Sequence, residues 1–262
     1  MSEAGTIGLE IDADGVARAV IDRPQARNAF TFAMYERLAE ICAQIDADAS
    51  VRVLVLSGAG GKAFAAGTDI AEFRALATPQ DVIDYEARID RVLSALERVR
   101  VPTIAMIAGA CTGGGAAIAA SCDLRIAEAG ARIGFPIART LGNCLSMRNL
   151  SRLVRLVGEA RVKDMVFTAR LLDAHEAQRV GFLGEVLPDA AALEAHVAAL
   201  ARTIAGHAPL TLAATKEALA RLRASVPHGA DEDLVVACYT SADFKEGMEA
   251  FLAKRPPRFT GR

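Results

Sequence analysis

The sequence predicts an α/β fold in which short strand pairs, each followed by a helix, coil into a ββα core under a helical C-terminal layer. Three observations carry that expectation. Short β-branched or apolar runs at 51–56, 101–107 and 124–127 read as buried strands. Glycine clusters at 58–67 and 113–115 follow two of them and lead towards helices. The last third of the chain is almost continuously helical in its periodicity. A strand–strand–helix rhythm differs from strict strand–helix alternation, so coiling units fit better than a doubly wound sheet.

Taken in order, residues 7–11 and 16–21 alternate around an Asp14-Gly15 turn, which is a hairpin signature. Leu38, Ile41, Cys42 and Ile45 recur at helical spacing, with Thr31 placed to cap the helix. The strand at 51–56 ends at Ser57-Gly58, and residues 81–99 carry the next helical pattern. After the strand at 101–107, Gly113-Gly114-Gly115 opens a helix of small residues at 116–121. Strands at 124–127 and 131–135 follow. Helices are then expected at 149–156, 161–168, 174–180, 190–205, 210–222 and 243–253, before a basic tail at 254–262 with Pro256-Pro257. No low-complexity linker divides the chain. It reads as a core over 1–200 and a C-terminal helical region over 201–262.

Composition narrows the function classes. Hydrophobic residues make up 52% of the 262, enough for a substantial core. The net charge is −2 with Lys and Arg scattered, and the chain has no Trp and three Tyr. Neither a basic stripe nor a base-stacking platform is present, so a nucleic-acid partner is not expected. Residues 1–12 lack the basic start and apolar stretch of a signal peptide. The most apolar stretch, 101–120, holds Pro102, Gly109 and the triple glycine, which would leave backbone groups unsatisfied in lipid. Five cysteines without a CxxC pair argue against a disulfide framework or a zinc site. His175, His196, His207 and His228 lack ligand spacing, so no metal is expected. A cytoplasmic location fits.

Two glycine motifs need weighing. Residues 58–63 (GAGGKA) match GxGxxA, but a dinucleotide site needs those glycines to open a long helix, and Gly67 interrupts one. The segment is not a P-loop either, because Ala63 follows Lys62 where Ser or Thr is required. The triple glycine before a helix permits close backbone approach and leaves N–H groups free for an anion or a developing oxyanion. Tight packing explains such a turn equally well.

In combination these pieces resemble the crotonase superfamily, the enoyl-CoA hydratase/isomerase family, over nearly the full length. The matching segments run in register: IDRPQARNAF at 21–30, VLVLSGAGGKAFAAGTDI at 53–70, VPTIAMIAGACTGGGAAIAASCDLRIA at 101–127, GFPIARTLGNCLSMRNLSRLVRLVG at 134–158, LLDAHEAQRVGFLGEVLP at 171–188 and FKEGMEAFLAKRPPRFTGR at 244–262. The resemblance implies a crotonase-like ββα spiral, a homotrimer or dimer of trimers, and an acyl-CoA substrate with coenzyme A as part of it and no tightly bound cofactor. It also implies an oxyanion hole from the backbone N–H groups of Thr68 and Gly114, with Asp69 ordering the loop. CoA-binding positions implied in the same way are Ala26, Arg27, Ala29, Lys62, Ala63, Ala65 and Ala66, with Lys254 and Phe259 in the tail.

The chain departs from the hydratase pattern at two points. Where GGGxE places the first catalytic glutamate stands Ala117, and where GxPE places the second stands Ile137. Neither can move a proton. No Asp or Glu lies between Ala110 and Ser121 or between Ala129 and Arg155, so a slip in register supplies none. Arg139, Asn143, Cys144 and Ser146 fall where relatives with other chemistries place an alternative group. Arg139 could hold an acyl carboxylate, Asn143 could orient a water, and Cys144 is either a nucleophile or an inert thiol. Glu72, Glu86 and Glu128 become candidates only if the fold turns them inward. The function expected is acyl-CoA thioester chemistry through an enolate, with hydration, double-bond shift, decarboxylation and thioester hydrolysis all open. The alternative is an acyl-CoA-binding protein of weak activity.

Overall fold

The computed structural model describes residues 5–223 and 232–259. His228 and the last three residues of the tail lie outside them. The chain opens with β1 (Thr6–Ile11) and β2 (Val16–Asp22), an antiparallel hairpin pairing Thr6 with Asp22 and Ile11 with Ala17. Helix α1 (Phe32–Ala47) starts where the Thr31 side chain accepts a hydrogen bond from the Met34 N–H, and it buries Met34, Tyr35, Leu38, Ile41, Cys42 and Ile45.

Three strand pairs follow. Strands β3 (Val53–Gly58) and β4 (Ala63–Ala65) precede α2 (Pro79–Arg98), which a Thr78–Asp81 capping box begins. Strands β5 (Thr103–Ile107) and β6 (Ala110–Thr112) precede α3 (Gly114–Ser121). Strands β7 (Leu124–Glu128) and β8 (Arg132–Gly134) precede α4 (Ile137–Thr140) and α5 (Met147–Val157). The chain continues through α6 (Glu159–Phe167), β9 (Leu172–Asp173), α7 (Ala174–Arg179) and β10 (Glu185–Leu187). Helices α8 (Ala190–Ala205), α9 (Pro209–Arg223), α10 (Glu232–Tyr239) and α11 (Ala242–Leu252) complete it.

The first strand of each pair enters a six-stranded sheet of order β1-β2-β3-β5-β7-β10, and the second enters a four-stranded sheet of order β4-β6-β8-β9. The chain therefore steps from the large sheet to the small one and returns by a helix, three times over. This is the expected ββα spiral. Strand β3 shows why the large sheet divides the core. Val53 and Val55 pack with Val16, Ile104 and Ile126 beneath Leu193, Val197, Ala201 and Ile204 of α8. Leu54 and Leu56, pointing the other way, join the main core with α1, α2 and α3. Residue 200 lies inside α8, so the expected division at 200/201 cuts a helix that packs as one face against this sheet.

Several elements were not foreseen. β4 and β6 lie in stretches too short and too rich in small residues to show a strand period, and they exist because each pairs with a neighbour across the small sheet. The apolar stretch 101–120 is broken into β5, β6 and α3. Among the described residues no single helix is long and apolar enough to cross a membrane.

Candidate active site

The small sheet ends at the place where the two glycine loops meet. Phe30 bridges Thr68 in parallel: the Phe30 N–H donates to the Gly67 carbonyl at 2.8 Å, and the Asp69 N–H donates to the Phe30 carbonyl at 2.8 Å. Residues 67 and 69 thus face Phe30, and the Thr68 N–H faces the other way. Gly67 adopts φ +102°, which side-chain-bearing residues rarely reach, and a Cβ there would lie 3.6 Å from the Gly114 nitrogen. A Cβ on Gly114 would overlap the Tyr35 hydroxyl and sit 3.4 Å from the Thr68 nitrogen. The two backbones approach because no side chain stands between them.

Among the described residues neither the Thr68 N–H nor the Gly114 N–H donates to a protein acceptor. Gly114 is the first residue of α3, so its amide belongs to the unsatisfied turn at the positive end of the helix. Two adjacent free amides, one at a helix N-terminus, suit an oxygen that gains negative charge.

The flanking loops are braced by side chains. Asp69 pairs with Arg23 at 2.7 Å and accepts from the Ala71 N–H at 2.9 Å. It orders the loop. Asn28 donates to the carbonyls of Ala59 and Ala63 at 3.0 and 2.8 Å and accepts from the Arg23 N–H at 3.0 Å. The Ala66 N–H donates to the Arg27 carbonyl at 3.0 Å. These bonds bring the Ala26–Arg27–Ala29 turn against the strip of Lys62, Ala63, Ala65 and Ala66. Ala63 and Ala65 are buried in β4, whereas Arg27 and Lys62 have exposed side chains free to meet a charged group. Lys254 and Phe259 are exposed in the tail beyond α11.

Ala117 is buried in α3 and Ile137 is buried at the start of α4, and neither side chain can ionise. Arg139 is exposed on α4, and its guanidinium has no partner among the described residues. Cys144 is half-buried and packs against the main core just before α5. Asn143 turns inward: its Nδ2 donates to the Tyr239 hydroxyl at 3.0 Å, and its Oδ1 is buried without a partner.

That bond leads to a feature spread too widely along the chain for sequence reasoning to assemble. Two of the three tyrosines reach Thr68, and the third, Tyr239, packs against Tyr85. The Tyr35 hydroxyl lies 2.9 Å from Thr68 Oγ1, and the Tyr85 hydroxyl 3.3 Å from the same atom. Tyr239 donates to Glu86 Oε1 at 2.8 Å, and the Tyr85 and Tyr239 rings stand 5.9 Å apart. Phe73 packs edge-on to Tyr85 and Tyr239, and Phe244 lies 4.9 Å from Tyr239. Burial is the main cause raising all three phenols above their ordinary value, and the Glu86 carboxylate pushes each one further. They stay protonated. Glu128 instead anchors the Gly109 N–H at 2.9 Å and faces away from this cluster's chemistry.

Comparison with known proteins now decides the family. The Enoyl-CoA hydratase/isomerase family profile matches residues 12–262. The chain belongs to the enoyl-CoA hydratase/isomerase family. Within it, an enoyl-CoA isomerase/hydratase of Mycosarcoma maydis is 34% identical over 95% of this chain and 93% of its own. The crystal structure of an enoyl-CoA hydratase/carnithine racemase from Magnetospirillum magneticum matches with a TM-score of 0.80 at 34% identity, covering 98% of this chain and 96% of that one. A methylmalonyl-CoA decarboxylase in complex with 2-nitronate-propionyl-CoA matches with a TM-score of 0.88 at 28% identity, covering 98% of both chains. This family membership fixes acyl-CoA processing as the general activity and leaves the particular reaction to the site.

Proposed function

We propose that this family member binds an acyl-CoA with its thioester oxygen between the Thr68 and Gly114 amides, and that it works by stabilising the enolate. The observation carrying this reading is the pair of free amides brought together by Gly67 and Gly114. Each such donor contributes roughly 3–4 kcal/mol when charge develops on the oxygen. Lys62 and Arg27, exposed on the braced loops, supply positive charge for the CoA phosphates.

Proton transfer at the α-carbon is the reaction this site suits best, in the manner of a double-bond shift. Hydration requires acid–base groups to place and activate a water, and Ala117 and Ile137 supply none. Decarboxylation is the second reading. It is favoured by those same two residues and by the likeness to the methylmalonyl-CoA decarboxylase. The exposed Arg139 does not support a carboxylate anchor there, so Arg139→Ala is expected to leave any malonyl-CoA turnover unchanged.

The test is mass spectrometry of crotonyl-, 3-butenoyl- and malonyl-CoA incubated with the protein in deuterated water. Deuterium at C2 of 3-butenoyl-CoA with conversion to crotonyl-CoA supports the proposal. Loss of carbon dioxide from malonyl-CoA moves the assignment to decarboxylation. Addition of water to crotonyl-CoA, without C2 exchange in the other esters, defeats it. Binding of all three without change would identify an acyl-CoA-binding protein.

A further inference from the structure

An enolate-forming site needs a group to take the α-proton, and both family positions for it are apolar here. The structure places a different carboxylate behind the oxyanion loop. Glu86 lies on α2 and is partly buried; its Oε1 accepts the Tyr239 O–H at 2.8 Å. Asn143 Nδ2 donates to the same phenol oxygen at 3.0 Å, which fixes the hydroxyl with its proton pointing at Glu86. Tyr85 packs beside this unit and ties it to the Thr68 loop, with its hydroxyl 3.3 Å from Thr68 Oγ1 and its ring 5.9 Å from that of Tyr239. These groups come from α2, α10 and the loop before α5.

We propose that Glu86, acting through the Tyr239 hydroxyl, is the proton acceptor and donor for the α-carbon of the bound thioester. The proposal rests on the enolate reading of the site. In the forward step the α C–H bond breaks and its electron pair becomes the enolate, whose oxygen the Thr68 and Gly114 amides hold. The released proton bonds to the Tyr239 oxygen as that oxygen passes its own proton to Glu86 Oε1. Glu86 ends as the neutral acid, and no free phenolate forms. The same exchange reversed returns a proton to carbon, and the partly exposed Glu86 trades its proton with solvent in between. Burial raises the Tyr239 phenol well above its ordinary value, which agrees with a relay in which the proton leaves only as another arrives.

Butyryl-CoA isolates this step, because it can be neither hydrated nor isomerised. The measurement is its C2 deuterium uptake in deuterated water, beside its Kd, for the wild type and for Glu86→Gln, Glu86→Asp and Tyr239→Phe. The expected result is at least a 100-fold loss of exchange in Glu86→Gln and Tyr239→Phe, within the roughly 10²–10⁴-fold range of acid–base contributions. Kd should stay within about threefold, since the groups removed are not those that hold the thioester oxygen. Glu86→Asp should recover part of the rate. Exchange at the wild-type rate in Glu86→Gln overturns the relay and leaves the enolate reading intact. Loss of butyryl-CoA binding together with exchange overturns it by assigning Glu86 to packing. A wild type that binds butyryl-CoA and shows no exchange removes the enolate reading, and the relay with it.

Discussion

Gly114 is the residue on which the site is most sharply constrained. Its missing Cβ leaves room for the Tyr35 hydroxyl and for the Thr68 amide at once. Gly114→Ala must push Tyr35 away and separate the two amides, so turnover is expected to fall by about 10²–10³-fold, the usual effect of losing one oxyanion donor. Steady-state kinetics with the substrate found by the acyl-CoA panel would check this, and circular dichroism should show the fold retained. Tyr35→Phe removes only the bond to Thr68 Oγ1. It should cost far less, because the Thr68 amide is still held through its neighbours' bonds to Phe30. Equal losses in the two variants would mean that the hydroxyl, and not the backbone geometry, sets the hole.

At the scale of elements, α2 and α5 are joined by a buried charge cluster. Arg152, 4% exposed, meets Asp90 at 2.9 Å and Glu97 at 3.1 Å and also bonds Asn149 and Ser94. Arg152→Ala removes the Glu97 ion pair and leaves Asp90 only its Arg148 partner, and it is expected to destabilise the protein by about 3–5 kcal/mol, measurable by urea denaturation. The end of α11 is pinned differently, by an exposed pair. Arg255 beside Glu246, helped by the Arg258 N–H, lowers the Glu246 carboxyl from 4.5 to about 2. A depressed acid stabilises the fold above its unfolded value, and that contribution is lost as pH falls through the folded one. The tail contact should therefore persist at neutral pH and loosen between about pH 4.5 and 2, which NMR titration of Glu246 would follow. These elements also show how far the sequence could be read. α8 was visible to its ends, and the hairpin followed from Asp14-Gly15 between two alternating segments, because both are written in local periodicity. The Thr68 and Gly114 amides were named from the family pattern, and the structure brings the two backbones together. The Tyr35–Tyr85–Tyr239 cluster was not, because it depends on how α1, α2 and α10 pack, and no local period records that. Glu86 was identifiable only as an acid whose direction the fold would decide.

At the scale of the whole molecule, α9 exposes Leu210 strongly, and Leu219 of the same helix and Phe251 of α11 are half-exposed. Apolar side chains of this kind on terminal helices suit contact with further copies of the chain, and we propose a homotrimer or a dimer of trimers. Light scattering should then give three or six times the 27.6 kDa chain mass, and Leu210→Glu should shift it towards one. The absence of tryptophan, with all three tyrosines in one cluster, has an optical consequence. The intrinsic tyrosine emission of this protein comes wholly from the Tyr35–Tyr85–Tyr239 cluster. A phenol hydrogen-bonded to a carboxylate emits weakly, so the resting protein should be dim and Glu86→Gln brighter. An acyl-CoA that displaces the Tyr239–Glu86 bond would announce its arrival as a change in brightness, with no label attached. The protein carries its own binding assay.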